Sequence, residues 1–169
     1  MKNIEMLVDQ EEEEVISFTL PPTIGITGEQ WITRLEARNF RISGYAKQLL
    51  RSPNFKPTVG KIYQVQILKG ELFSNENRTT QNINDEAKQR NLIIPNAETA
   101  CLVRENFTDE EIQMIGLVWL VIMHKPIIDS DGDLELFRVI RNGDGRRLSS
   151  YHANPIGGWS RANGFVFIK

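Results

Sequence analysis

Seven apolar residues in a row, Leu117-Val-Trp-Leu-Val-Ile-Met123, constrain the fold of this chain more than any other stretch. A strand with one wet face alternates apolar and polar residues, so an unbroken run implies a central strand covered on both faces. The patterns after it supply neighbours. Residues 134–141 and 146–152 read as strands and flank Asn142-Gly143-Asp144-Gly145, a strong hairpin signal. Residues 164–168 end the chain as another strand. Upstream, over 61–68, Tyr63, Val65 and Ile67 alternate with Gln64 and Gln66, the period of a half-buried strand.

Helices fill the rest. Thr27 with Gln30, and Thr108 with Glu111, have the spacing of a capping box, and Ile26/Trp31 and Phe107/Ile112 that of a hydrophobic staple. A second helix is expected from Ser43 to just before Pro53, a third closing at Asn91, and a fourth capped by Asn96. The architecture expected is α+β: a mostly antiparallel sheet ending in a C-terminal β-meander, with helical hairpins packed on one face. The stretches EARNFRISGYAKQLLRSPNF and KQRNLIIPNAETACLVRENF align at an offset of 52 residues, pairing Asn39 with Asn91 and Leu50 with Leu102. The match reads equally well as a duplicated helix–helix–strand unit, whose strands at 61–68 and 117–123 would lie near each other, or as two unrelated helical hairpins.

A chain of 169 residues suits one domain and buries enough surface to need neither disulfide nor metal. Cys101, the single cysteine, excludes an internal disulfide and a Cys-based zinc site, and within ACLV it reads as a small core residue. The longest apolar run, Ile115 to Met123, falls far short of the about 20 residues that span a bilayer. A cytoplasmic protein with no membrane association and no cofactor is expected. Charge is unevenly spread. Residues 1–20 hold one basic and six acidic residues and read as a mobile acidic arm, although VISFTL within them also suits an edge strand; residues 21–169 read as the single domain. Residues 29–61 hold seven basic and two acidic residues.

Two stretches are candidates for function. The first is MHKPIIDSDGDLEL, where His124 precedes Asp129, Asp131 and Asp133. As a calcium loop begun at Asp129 it fails: the glycine falls at position 4, Ile140 stands where the bidentate glutamate belongs, and a strand pattern follows instead of a helix. Asp, Ser and Gly are also what a tight turn selects, and the turn is the favoured reading, with no metal site assigned. The second is the basic pair of helices, where Arg34 and Arg38 share one face, Lys47 and Arg51 share another, and Arg41 lies between. Such faces suit phosphates, or are simply solvated. The acidic arm, opposite in sign, is placed to shield them. His152 lies beside Tyr151 in a strand, and Trp159 in NPIGGWSRAN is expected to pack as a lid over the sheet end.

The combination RNF-I-S-YAK-LL-SP-F-P followed by PNAE-ACL-RE-F-DEEI-GL-W-V-MH-PI-DSDGD resembles a group of small bacterial proteins of uncharacterised function that share an MHxPIxDSDGD-like stretch. The resemblance covers roughly residues 27–169 and implies no activity, cofactor or catalytic residue. No nucleophile elbow, phosphate loop or dinucleotide fingerprint is present. The reading that follows is a binding module for a protein or nucleic-acid partner, with Arg34, Arg38, Arg41, Lys47 and Arg51 as its contacts. The alternative is a metal-dependent or hydrolase-like enzyme using His124, Asp129, Asp131 and Asp133.

Overall fold

A computed structural model describes residues 4–8, 14–141 and 146–169. Its nine strands are β1 (Ile4–Val8), β2 (Glu14–Thr19), β3 (Arg41–Ile42), β4 (Gln64–Lys69), β5 (Trp119–Ile122), β6 (Ile127–Ile128), β7 (Leu134–Ile140), β8 (Arg147–His152) and β9 (Asn163–Ile168). Its helices are α1 (Gly28–Ala37), α2 (Gly44–Arg51), α3 (Thr80–Gln89), α4 (Thr99–Asn106) and α5 (Asp109–Met114). All nine strands share one sheet, in the order β1-β2-β4-β9-β5-β7-β8-β3, with β6 paired to the start of β7.

Two expectations are corrected here. The sheet is mixed, not mostly antiparallel: β5 runs parallel to β9 at its centre, and β3 runs parallel to β8 at one edge. The cause is the connection after β8. β5, β7 and β8 do form a meander, but residues 153–162 then cross the sheet and deliver β9 to the far side of β5, in the same direction. A strand with all six residues buried, as β9 has, belongs in the middle of a sheet rather than at the end of a meander.

The helices also do not all lie on one face. Trp31, Ile32 and Leu35 of α1, Leu49 and Leu50 of α2, Leu102 and Val103 of α4 and Ile112 of α5 pack on Leu120, Phe137, Val139 and Val166. Ile83 and Ala87 of α3, together with Trp159, pack on the other side with Val121, Met123, Leu136, Phe165 and Phe167. Trp159 is the lid the sequence suggested, its Nε1 donating to Thr80 Oγ1 at 2.9 Å.

The offset of 52 residues holds for one helix and its cap only. α1 and α3 have the same length, and each is followed by an asparagine in the left-handed region, Asn39 at φ 62° and Asn91 at φ 58°. The amides of Phe40 and Leu92 then close the helix ends on Leu35 O and Ala87 O. Beyond the caps the copies diverge: α1 and α3 cover opposite faces, α5 has no counterpart, and β9 separates β4 from β5. The fourth helix starts later than expected. Asn96 Oδ1 accepts from Glu98 N in a turn, while the buried Glu98 carboxylate accepts from Thr58 N and from the hydroxyls of Thr58 and Tyr63, holding loop 55–63 in place.

Residues 4–8 and 14–19, within the acidic stretch, form the hairpin strands β1 and β2, with Ile16 and Phe18 buried in the core; residues 9–13 lie outside the described residues. β1 is at one edge of the sheet and β3, linked to α1 and α2, at the other. That separation removes support for an arm shielding the basic helices.

Both sequence-derived capping boxes are formed, with Thr27 Oγ1 accepting from Gln30 N at 3.2 Å and Thr108 Oγ1 from Glu111 N at 3.1 Å. Gly28, the first residue of α1, lets the carbonyl end of α2 approach so closely that a Cβ there would sit 1.6 Å from Leu50 O. Thr27→Ala and Thr108→Ala are each expected to lower the unfolding free energy by about 1 kcal/mol. Gly28→Ala is expected to cost more, about 1–3 kcal/mol, because backbone must move to admit the methyl group. Urea unfolding of the three variants checks the ranking, and an unchanged midpoint in Gly28→Ala would contradict the close packing of α1 on α2.

Candidate functional site

His124 follows β5, where the ladder to β7 gives out: the last registered pair is Val121 with Arg138. The imidazole takes over from the ladder. Its Nε2 accepts the Phe137 N–H at 2.9 Å, and its Nδ1 donates to Lys125 O at 2.7 Å. That pairing defines the tautomer, neutral with the proton on Nδ1. The side chain is buried, and burial pulls its pKa down to about 4 against the partial support of the Lys125 carbonyl. Neither nitrogen is left for a metal or a substrate.

The aspartates divide by role. Asp129 Oδ1 accepts from Asp131 N at 2.8 Å and Asp133 N at 3.0 Å, while Gly132 takes φ +87°. This is the tight turn the residue types suggested. Asp131 points elsewhere, its Oδ2 accepting the Tyr45 hydroxyl at 2.6 Å, a bond that holds the phenol pKa above its ordinary value. Gln48 Oε1 accepts Ser130 N at 2.9 Å, so α2 is clamped onto the turn by two side chains one helical turn apart. The Asp133 carboxylate has no hydrogen-bond or ion-pair partner among the described residues.

Beside this turn lies Glu135, buried on β7 directly opposite His152 of β8, with Oε1 2.8 Å from His152 Nδ1. Burial raises the Glu135 pKa, a Ser150 hydrogen bond and His152 lower it, and Asp129 and Asp133 raise it. The His152 ring is 62% exposed. Together, Tyr45 on one wall and residues 150–152 of β8, with the His152 ring, on another enclose a pocket of about 290 Å³ whose floor carries Asp129, Asp131, Asp133 and Glu135. A second hollow of about 510 Å³ adjoins it along Leu134 and residues 152–155 and shares Asp133 and His152.

The structure therefore brings Asp129, Asp131 and Asp133 together and turns His124 away from them into the core. The histidine of the pocket is His152. Among the described residues no group of three or more His, Cys, Asp or Glu is arranged to hold a metal ion. Cys101 is fully buried, and burial pushes its thiol well up.

On the basic helices, most of the charge is already paired. Arg34 Nε and Arg38 Nη1 both lie 2.6 Å from Glu105 Oε1, Lys47 Nζ is 2.5 Å from Glu36, and Arg51 Nε is 2.7 Å from Glu29. Four of these five cations thus meet three carboxylates, and among the five Arg41 alone has no ion pair with a described residue. Glu105 comes from α4, which no local pattern places beside α1.

The acidic pocket was missed in the sequence for want of Tyr45, Glu135 and His152. One signal for two of them was present: the hairpin signal of Asn142-Gly143-Asp144-Gly145 predicts antiparallel pairing of 134–141 with 146–152, the pairing that sets Glu135 opposite His152. Residues 142–145 themselves lie outside the described residues. Among the described residues no helix is long and apolar enough to cross a membrane. No family model matches the chain, nor does any curated protein or solved structure.

The depressed His124 pKa has a definite consequence for stability. Between pH 6.5 and about 4 the unfolded chain binds a proton that the folded chain excludes, so stability falls as pH falls, by up to about 1.4 kcal/mol per unit. His124→Gln, which keeps an acceptor for Phe137 N, is expected to flatten this part of the profile relative to the wild type. His124→Ala leaves that N–H unpaired and is expected to cost about 1–3 kcal/mol at pH 7. Urea midpoints for the three chains from pH 7 to 4.5 check both; parallel profiles for wild type and His124→Gln would refute the buried neutral ring.

Proposed function

We propose that the chain is a binding module whose recognition site is the acidic pocket between α2, the Asp129 turn and β8, and that its partner is a protein presenting a lysine or arginine side chain. The supporting observation is the pocket itself: four carboxylates, one of them the unpaired Asp133, converge between Tyr45 and strand β8. Carboxylates attract a cation and accept its N–H groups, and the Tyr45 ring holds it by cation–π attraction while its aliphatic stem lies along the wall. A guanidinium or ammonium fills a space of about 290 Å³ with part of its stem. The partially neutralised helices offer less to a polyanion than their sequence suggested, with Glu29, Glu36 and Glu105 occupying four of the five cations.

A second reading, acid–base chemistry in the same pocket, is supported by the Glu135–His152 pair, which orients an exposed imidazole as a carboxylate orients a catalytic one. Hydrolysis of simple ester or phosphoester substrates that disappears in both His152→Gln and Glu135→Gln would favour it over binding alone.

The binding reading is tested by titrating N-acetyl-arginine amide into the isotopically labelled chain. Shifts are expected at Tyr45, Asp131, Asp133 and His152, with none from N-acetyl-norleucine amide. The double variant Asp131→Asn, Asp133→Asn is expected to weaken binding about tenfold or more, since hydrogen bonds to charged groups are worth about 1.5–3 kcal/mol each. Equal responses to the two amides, or shifts outside the pocket, would refute it.

A further inference from the structure

The face of the sheet opposite this pocket carries a different surface. Arg138 on β7 is registered with Ser149 on β8 and Val121 on β5, so its diagonal neighbours are Arg147, Tyr151 and Trp119, all on the same face. The Arg138 guanidinium lies 4.1 Å from the Trp119 ring centroid and 4.7 Å from that of Tyr151. Tyr151 continues the aromatic row, 5.5 Å from Trp159. Trp119, Arg138 and Arg147 are half-buried and Tyr151 is 43% exposed, so this part of the face is open, whereas α3 and Trp159 cover the part over β9.

The placement of Arg138 is costly for stability alone. Its Nε and Nη1 are buried with no hydrogen-bond partner, and neither Arg138 nor Arg147 has an ion pair among the described residues. Burial lowers the Arg138 pKa, and the Arg147 charge beside it adds to that effect. Stacking between two rings offsets part of the cost. Two like charges without a carboxylate between them, next to exposed π-faces, match the chemistry of a chain that alternates anions with flat rings.

We propose that this open face, built on Trp119, Arg138, Arg147 and Tyr151, binds a segment of single-stranded nucleic acid. Phosphates pair with Arg147 and the solvent-facing end of Arg138, and unstacked bases lie on the exposed faces of Trp119 and Tyr151. A duplex keeps its bases stacked inside and has nothing to offer the rings, so the face discriminates by strandedness more than by sequence. The surface lies across the sheet from the acidic pocket and has the opposite charge, so the two assignments stand or fall separately.

The test uses the full chain and a fluorescein-labelled 12-nucleotide deoxythymidine strand, read by anisotropy at 50 and 200 mM salt, with a 12-base-pair duplex as comparison. The single strand is expected to bind more tightly than the duplex and to weaken with salt. Arg147→Gln is expected to reduce the log–log salt slope by about 0.7, the value for one phosphate contact on a single strand. Trp119→Ala is expected to weaken binding about tenfold or more. Lys56→Gln removes the same charge from an exposed site elsewhere and is expected to change neither quantity beyond the error of the measurement. Should Trp119→Ala unfold by circular dichroism, Tyr151→Leu replaces it. Absence of binding at 50 mM salt, equal affinity for the duplex, or an equal loss in Lys56→Gln overturns the proposal.

Discussion

The parallel pair of β5 and β9 is the constraint on which the rest of this molecule depends. Leu120, Val121 and Ile122 face Gly164, Phe165 and Val166 across that pair, and every one of these residues is buried. Side chains alternate across a strand, so such a pair requires apolar cover on both faces at once. α1, α2, α4 and α5 supply one cover, and α3 with the crossing segment 153–162 supplies the other. Gly164 shows how tight the result is: a Cβ there would lie 2.5 Å from Leu117 and 2.8 Å from Ile67. Close packing of this kind transmits constraint outward, because no neighbouring strand can shift without opening the centre.

The polar interior serves that packing. His124 caps the β5–β7 ladder with its ring. Arg104, fully buried, gathers the carbonyls of Phe107 and Ile140 and pairs with Asp109, joining α4, α5 and β7. Arg78 does likewise for Gly70, Phe73 and Trp159 on the opposite face. These cations are structural because main-chain oxygens and Asp109 take up most of their N–H groups, Arg104 Nε excepted. Arg138 differs, since neither of its buried nitrogens, Nε and Nη1, has such a partner. Arg138 on β7 marks the basic face proposed for binding, and the turn leading into β7 carries Asp133 to the acidic pocket.

β8 connects the two surfaces. Its alternation sends Ser150 and His152 to the acidic pocket and Arg147 and Tyr151 to the basic aromatic face. Both surfaces therefore depend on the pairing of β7 with β8. A slip of one residue would exchange them, placing His152 among the arginines and Tyr151 among the carboxylates.

Local chemistry was legible in the residues. Thr27 and Thr108 cap where their boxes predicted, Asn39 and Asn91 close their helices, and Asp129 makes the turn that Asp-Ser-Asp-Gly selects, because each depends on atoms within about four positions. The apolar run at 117–123 also held the information that both faces are covered, which an arrangement with helices on a single face contradicted. Tertiary structure decided the rest. It placed Glu105 between Arg34 and Arg38, turned His124 inward while drawing His152 to the aspartates, and put β9 beside β5, making the sheet mixed. Capping and turn formation are set by short-range hydrogen bonds that the chain carries in its own order. Which charges meet, and which histidine is left at the surface, follows from strand order and register, and those are chosen by the burial of the whole core.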